Sequence, residues 1–229
     1  SYHTTAPFTF LDENDKKQRV TKNGYVILNF FLNIGTYTFE IFKNATLYTS
    51  SELVATATAS YSKKVSFENY NQGDVIDFVI KNQNANEIDF SISKEFVLIP
   101  ESRISYQIHW QNEFKLESAM EFTGSYKLPN DYENITQTLY RDLVEVLQND
   151  LSKKITKFTI NTGWILKSDH ETIDSILRSK KCWLKLGNEF ISLTPISKSL
   201  AAIDNERFLN SFDCEFQINR SYDEKNYTF

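Results

Sequence analysis

From Phe212 to Asn219 apolar and polar residues alternate without a break, with Phe212, Cys214, Phe216 and Ile218 on one side and Asp213, Glu215, Gln217 and Asn219 on the other. Successive side chains of an extended strand point to opposite faces, so this period of two specifies a strand with one dry face and one wet face. The signature returns at Ile104, Tyr106, Ile108 and Trp110 against Ser105, Gln107, His109 and Gln111. It predicts that Trp110 is a core residue and that His109 lies on the solvated face. Tyr37, Phe39 and Ile41 alternate with Thr38 and Glu40 in the same way. The 18 Phe and 12 Tyr suit pleated, half-buried surfaces, so composition and periodicity point alike to a mainly β chain.

The 229 residues allow one large domain or two of ordinary size. Tyr25–Leu32 is an apolar run short enough for a core strand, and Val54–Ser60, Lys64–Phe67, Val75–Ile80 and Glu87–Ile92 are further strand candidates. The Asn-rich stretches Asn69–Asp74 and Lys81–Asn86 carry turn chemistry between them. About seven strands at this spacing predict an immunoglobulin- or fibronectin-like β-sandwich over residues 1–100. No Cys or Trp falls there, so the antibody-domain signature is missing. Pro100, inside Phe96–Ser102, interrupts pairing and marks a boundary, with a mostly β second domain over 101–229.

In the second half, Ile135, Leu139, Leu143, Val146 and Leu147 have helical spacing, and periodicity favours a helix over Asn134–Leu151. The Thr and Val residues and Tyr140 leave paired strands open. Ile155–Trp164 reads as a strand closed by Asn161-Thr162-Gly163, with Trp164 sharing the core face of Phe158 and Ile160. Ser168-Asp169-His170-Glu171 has the form of a capping box, predicting a short helix to about Ser179 with Ile173, Ile176 and Leu177 as its apolar stripe. Cys182–Leu186 and Phe190–Ser199, joined at Gly187-Asn188, form an expected hairpin. Cys182 and Cys214, the only cysteines, read as two buried reduced thiols. The tail from Ser221 to Phe229 loses periodicity and reads as disordered or as an arm that docks on a neighbour.

Motifs for catalysis are few. His170-Glu171-Thr172-Ile173-Asp174 opens like a zinc-protease helix but lacks the second His, so no metal is expected there. His3, His109 and His170 are too dispersed to propose a cluster. No nucleophile elbow or phosphate-cradling glycine spacing is found, and no cofactor is expected. Asp12-Glu13-Asn14-Asp15 offers hard oxygen ligands without the glycine and distal Glu of a calcium loop, so a polar turn is the simpler reading. The Asn44-Ala45-Thr46, Asn134-Ile135-Thr136 and Asn226-Tyr227-Thr228 triplets are too short a pattern to carry weight. A net charge of −5, with the Lys pairs scattered along the chain, argues against a duplex nucleic-acid partner. No apolar run has the length of a membrane span. The chain opens Ser1-Tyr2-His3 without a Met, as expected of a processed or trimmed product or a piece of a longer protein.

Several phrases from about Arg103 onward resemble tail structural proteins of phages and prophages of Bacteroidetes-type hosts. They are Ile108-His109-Trp110-Gln111-Asn112, Thr159-Ile160-Asn161-Thr162-Gly163-Trp164, the helix Glu171–Leu177, Pro195, and Phe212-Asp213-Cys214-Glu215-Phe216. The resemblance covers roughly the last 125 residues, and its motifs are short. Glu113 and Phe114 stand where that family would have a Gly soon after Asn112. It implies a tail-tube or distal-tail fold, a β-barrel or sandwich with one flanking helix, and it makes Asn134–Leu151 β rather than helical. It also implies assembly into rings through strands and loops of neighbouring copies, with other tail proteins as partners and the virion as location.

Two functions are therefore expected. The first is a non-enzymatic tail or baseplate component working by self-association. The second is a secreted or surface-attached module that binds polysaccharide or a host receptor. Trp183, which alternates against Cys182 and Leu184, is the candidate exposed aromatic, and Tyr222, Tyr227 and Phe229 of the tail complete the candidate interaction surface.

Overall fold

The computed structural model describes residues 8–11, 17–82, 91–141, 144–197 and 209–219. Strands dominate them, with one α-helix. The first eight strands are β1 (Phe8–Phe10), β2 (Gln18–Val20), β3 (Tyr25–Leu32), β4 (Gly35–Lys43), β5 (Thr46–Ala55), β6 (Ala59–Ser66), β7 (Val75–Asn82) and β8 (Ser91–Leu98). They form a three-stranded sheet, β1-β3-β6, and a five-stranded sheet, β2-β8-β7-β4-β5. All pairs are antiparallel except β2 with β8. The sheets form a sandwich around an aromatic core in which Phe67, Phe78 and Phe96 meet pairwise at 5.4–6.1 Å between ring centroids. Such rings, edge to face, add to the apolar area they remove from water.

The expected strand Val54–Ser60 is in fact a corner: β5 ends at Ala55 and β6 starts at Ala59. No Gly or Pro marks the turn. Side chains close it instead, with the Tyr61 hydroxyl donating to the Ala57 carbonyl at 2.8 Å. Strand β5 escaped the sequence reading because both its faces are largely exposed, leaving no apolar alternation to detect. The β4–β5 turn holds Asn44 and Ala45 at φ 50° and 63°. Asn44 supports it by accepting from the Val75 amide and donating to Asp74, both at 2.9 Å.

The second set comprises β9 (Tyr106–Gln111), β10 (Glu117–Phe122), β11 (Tyr126–Lys127), β12 (Asn130–Arg141), β13 (Val144–Asn161), α1 (Asp169–Arg178), β14 (Cys182–Leu186), β15 (Glu189–Pro195) and β16 (Asp213–Ile218). The sheet runs β10-β9-β14-β15-β16-β13-β11, with β12 paired to β13. It curls until Tyr106 of β9 meets Tyr126 of β11 and Phe158 of β13, at 5.3 and 6.2 Å between centroids, but it does not close into a barrel. A second core, containing Ile108, Trp110, Phe158, Ile160, Phe216 and the inward face of α1, fills the curl. Cys182 and Cys214 are buried free thiols in it, and desolvation pushes both up to about 12, so both stay protonated.

Asn134–Leu151 is not helical: β12 and β13 pair there as antiparallel strands, with a bulge after Ile135. A four-residue interval such as Ile135 to Leu139 fits a strand as well as a helix, and opposite residues pair Leu139 with Val146 and Ile135 with Leu151. The capping box is also displaced. Ser168 makes no capping bond; its hydroxyl donates to the Lys17 carbonyl at 2.7 Å. Asp169 instead accepts from the Leu166 amide at 3.0 Å, so the reach-back expected of Glu171 begins two residues earlier.

His109 is buried, only 3% exposed, where solvent was expected. The face of β9 and β10 turned away from the second core is covered by β3 and β2 of the first sandwich, through bonds from Tyr25, Thr21 and Asn29 to His109, Glu121 and Ser118. A strand buried on both sides keeps its alternation of residue types but loses the meaning of polar as exposed. The opposite correction holds for Trp164. It is 61% exposed rather than core, because β13 ends at Asn161 and Gly163 turns the chain at φ 71° before Trp164. Trp110 is buried as expected, its indole nitrogen donating to the Ser175 hydroxyl at 3.0 Å.

Candidate functional site

The junction of the sandwich and the curled sheet carries a hydrogen-bonded chain of three titratable groups. Tyr25 Oη lies 2.5 Å from His109 Nε2, and His109 Nδ1 lies 2.6 Å from Glu117 Oε1. Burial lowers the His109 pKa, and burial followed by the Glu117 charge pushes Tyr25 up to about 12. The network therefore assigns a neutral imidazole: the phenol donates to Nε2, and Nδ1–H donates to the carboxylate. Phe190 stands edge-on to the imidazole at 5.1 Å, and Lys64 and Lys185 lie over the Tyr25 ring at 3.8 and 4.9 Å. The order hydroxyl, imidazole, carboxylate is that of a proton relay; on its Tyr25 side lies a cavity of about 40 Å³, room for a water, while the Glu117 carboxylate at the other end is half-exposed. The chain fastens β3 to β9 and β10.

A larger feature opens on another side of the same junction, a cleft of about 800 Å³ between Lys17, Arg19 and Pro100 of the sandwich and Thr123, Trp164 and Leu209 of the curled-sheet half. Its floor is a close crossing of backbones. The Thr123 and Gly124 amides donate to the Thr162 and Asn161 carbonyls at 3.3 and 3.2 Å. A Cβ on Gly163 would stand 2.1 Å from Thr123 Oγ1, and one on Gly124 would stand 2.5 Å from Asn161 Oδ1, so glycine is required at both. The crossing sends Ile165 into the core and leaves Trp164 at the rim.

Arg19 reaches into this floor from β2, 9% exposed. Its two terminal nitrogens donate to Thr123 Oγ1 at 3.2 Å and to the Thr162 carbonyl at 2.6 Å, while Nε has no acceptor among the described residues. Asp169 and Glu121 are the carboxylates acting on it, yet neither is its ion-pair partner. Glu121 is taken by Thr21 and Ser105, and Asp169 by the Leu166 amide. Desolvation holds Asp169 up at about 6.

The third feature is a ribbon. Over twelve register pairs β12 lies against β13, and β13 meets β11 and β16 only from Lys157 onward. At about 3.3 Å per residue the ribbon extends roughly 40 Å. Among the described residues no third strand pairs with β12.

Trp183 is half-buried on β14, opposite His109 on one side and Ser192 on the other. Tyr222, Tyr227 and Phe229, with His3 and Asp12–Asp15, lie outside the described residues. His170 packs edge-on to Phe212 at 5.4 Å. Among the described residues no group of three or more His, Cys, Asp or Glu could hold a metal, and no helix is long and apolar enough to cross a membrane. Arg19 and the Tyr25–His109–Glu117 chain escaped the sequence reading, which placed Trp164 on the core face. Only Gly163, immediately before Trp164, signalled a break in the strand.

These features define a mainly β sandwich protein that offers a cleft and a long ribbon for contact. No family model, curated protein or solved structure matches the chain.

Proposed function

We propose that the protein is a non-catalytic structural component of an extracellular assembly, a phage tail or baseplate protein that works by self-association and by docking other tail proteins. The β12–β13 ribbon carries this reading. Two strands alone are marginal in water, and a strand edge with unpaired amides and carbonyls invites another chain. Strand β5 is the outer strand of its own sheet, with Leu47, Tyr48 and Val54 exposed, and it supplies an edge of the complementary kind. We further read residues 1–100 as immunoglobulin-like: the orders β1-β3-β6 and β8-β7-β4-β5 correspond to the A-B-E and G-F-C-C′ arrangements of that fold. Sedimentation of the whole chain over a range of concentrations tests the proposal. A discrete oligomer is expected, and replacing residues 132–154 by a two-residue Asn-Gly turn is expected to leave a folded monomer. A monomer at every concentration, or an oligomer indifferent to the shortening, would overturn it.

A second reading, a module that binds polysaccharide or a host receptor at a surface, is favoured by the Trp164 cleft. Its size lies within the range of about 300–1,000 Å³ typical of ligand pockets.

A further inference from the structure

We infer that strand β12 pairs with β12 of a second copy of this chain, antiparallel about a two-fold axis at Gln137; this rests on the self-association reading above and names the surface that performs it. Open strand edges are commonly blunted by Pro, Lys or a bulge. Strand β12, Asn130–Arg141, holds no Pro and no Lys. At the register shift after Ile135 the extra residue is Asp150 of β13, so β12 itself keeps an unbroken period of two. Among the described residues its second edge meets no other strand.

The order of residues along β12 specifies the mate. Glu133-Asn134-Ile135-Thr136-Gln137-Thr138-Leu139-Tyr140-Arg141 is matched about its centre: Thr on either side of Gln137, then an aliphatic residue, then Asn and Tyr, then opposite charges. Laid antiparallel on a second copy with Gln137 against Gln137, Thr136 falls opposite Thr138, Ile135 opposite Leu139 and Glu133 opposite Arg141. The two-fold repeats each of these pairs, as an isologous interface requires. Hydroxyl pairs, apolar pairs and opposite charges set directly across an antiparallel ladder all favour it. The register is specific: an axis on Thr136 sets Glu133 against Leu139, and one on Thr138 sets Ile135 against Arg141. Within its own ribbon Glu133 stands opposite Lys153, but Arg141 stands opposite Val144, so that register sets no charge against Arg141. Strand β5, the other open edge, carries Glu52 as its one charge and can match Arg141 but not Glu133. Self-pairing matches both, twice, and builds a four-stranded sheet from two ribbons.

Sedimentation of the full chain and its charge variants over a range of concentrations tests the pairing. Arg141→Glu sets a carboxylate against Glu133 at both ends of the interface and is expected to weaken association about tenfold or more. Adding Glu133→Arg to it exchanges the two charges and is expected to restore association. Positions 133 and 141 lie roughly 27 Å apart along one strand, at about 3.4 Å per residue, so only a second copy can supply that rescue. Gln137→Cys is expected to give a disulfide-linked dimer on mild oxidation, because opposite Cα atoms of an antiparallel pair stand about 4.5–5.5 Å apart, within disulfide reach. Both native thiols are buried and do not compete. If a charge variant does not fold, the cross-link decides. Wild-type oligomers without the Gln137→Cys cross-link, or a folded exchange variant without the rescue, would overturn the two-fold pairing and leave the self-association reading standing, with β5 as the mate of β12. A chain monomeric at every concentration would remove both.

Discussion

His109 shows what a side chain's surroundings add to its place in a pattern. Alternation correctly puts it on the face of β9 opposite Ile108 and Trp110, but that face is covered by β3 instead of water. Burial lowers its folded pKa below the ordinary value of about 6.5. Below that pH the unfolded chain binds the proton first, so the His109 contribution is present above about 6.5 and is lost as the solution is acidified towards the folded pKa. Asp169 acts in the opposite sense. Its folded pKa is raised to about 6, so the folded state binds its proton first and gains stability as pH falls through 6. The bulk pH profile therefore mixes two signs, and a variant is needed to separate them. His109→Gln should be less stable at pH 7.5 by about 1–3 kcal/mol, the scale for a buried network losing a partner. The deficit should shrink as pH falls from 7 to 5, because only the wild type must protonate the imidazole. Urea midpoints read across that range would show it, and a pH-independent deficit would contradict the assignment.

At the scale of elements the outcome depends on whether the residues that signal an element are also those that hold it. The Cys182–Leu186 and Glu189–Pro195 hairpin was legible because Gly187-Asn188 both announces and makes the turn, with Gly187 at φ 59°. The Phe212–Ile218 strand was legible because its inward residues are buried and its outward ones wet. The ribbon was not, since a four-residue apolar interval serves two periods and only pairing with a distant strand decides between them. Helix α1 was found where expected but fastened differently. Ser168→Ala should remove its bond to Lys17 and change stability by under about 1 kcal/mol, whereas Asp169→Ala should cost about 1–2 kcal/mol by freeing the Leu166 amide. Thermal melts of the two variants decide it. A Ser168→Ala loss as large as that of Asp169→Ala would restore the capping box predicted from sequence.

For the whole molecule, two aromatic and aliphatic cores are joined through a junction of buried polar groups. Arg19, Thr21, Tyr25 and Asn29 each find partners more than 80 residues away in sequence. No local pattern encodes such pairs, which is why the mainly β class could be read from the chain while the cleft and the junction could not. The polar junction gives the sandwich and the curled sheet a specific register, and the same register brings Trp164 and Arg19 to one cleft. Projecting from this body, the β12–β13 ribbon is the feature on which the assembly account rests. Hydrogen–deuterium exchange of the β12 amides, followed with concentration, tests it most directly. The account predicts that the amides of β12 not bonded to β13 exchange fast in dilute protein and become protected in step with the rise in particle mass. Fast exchange at those amides while the particles grow, or no growth at all, would contradict it.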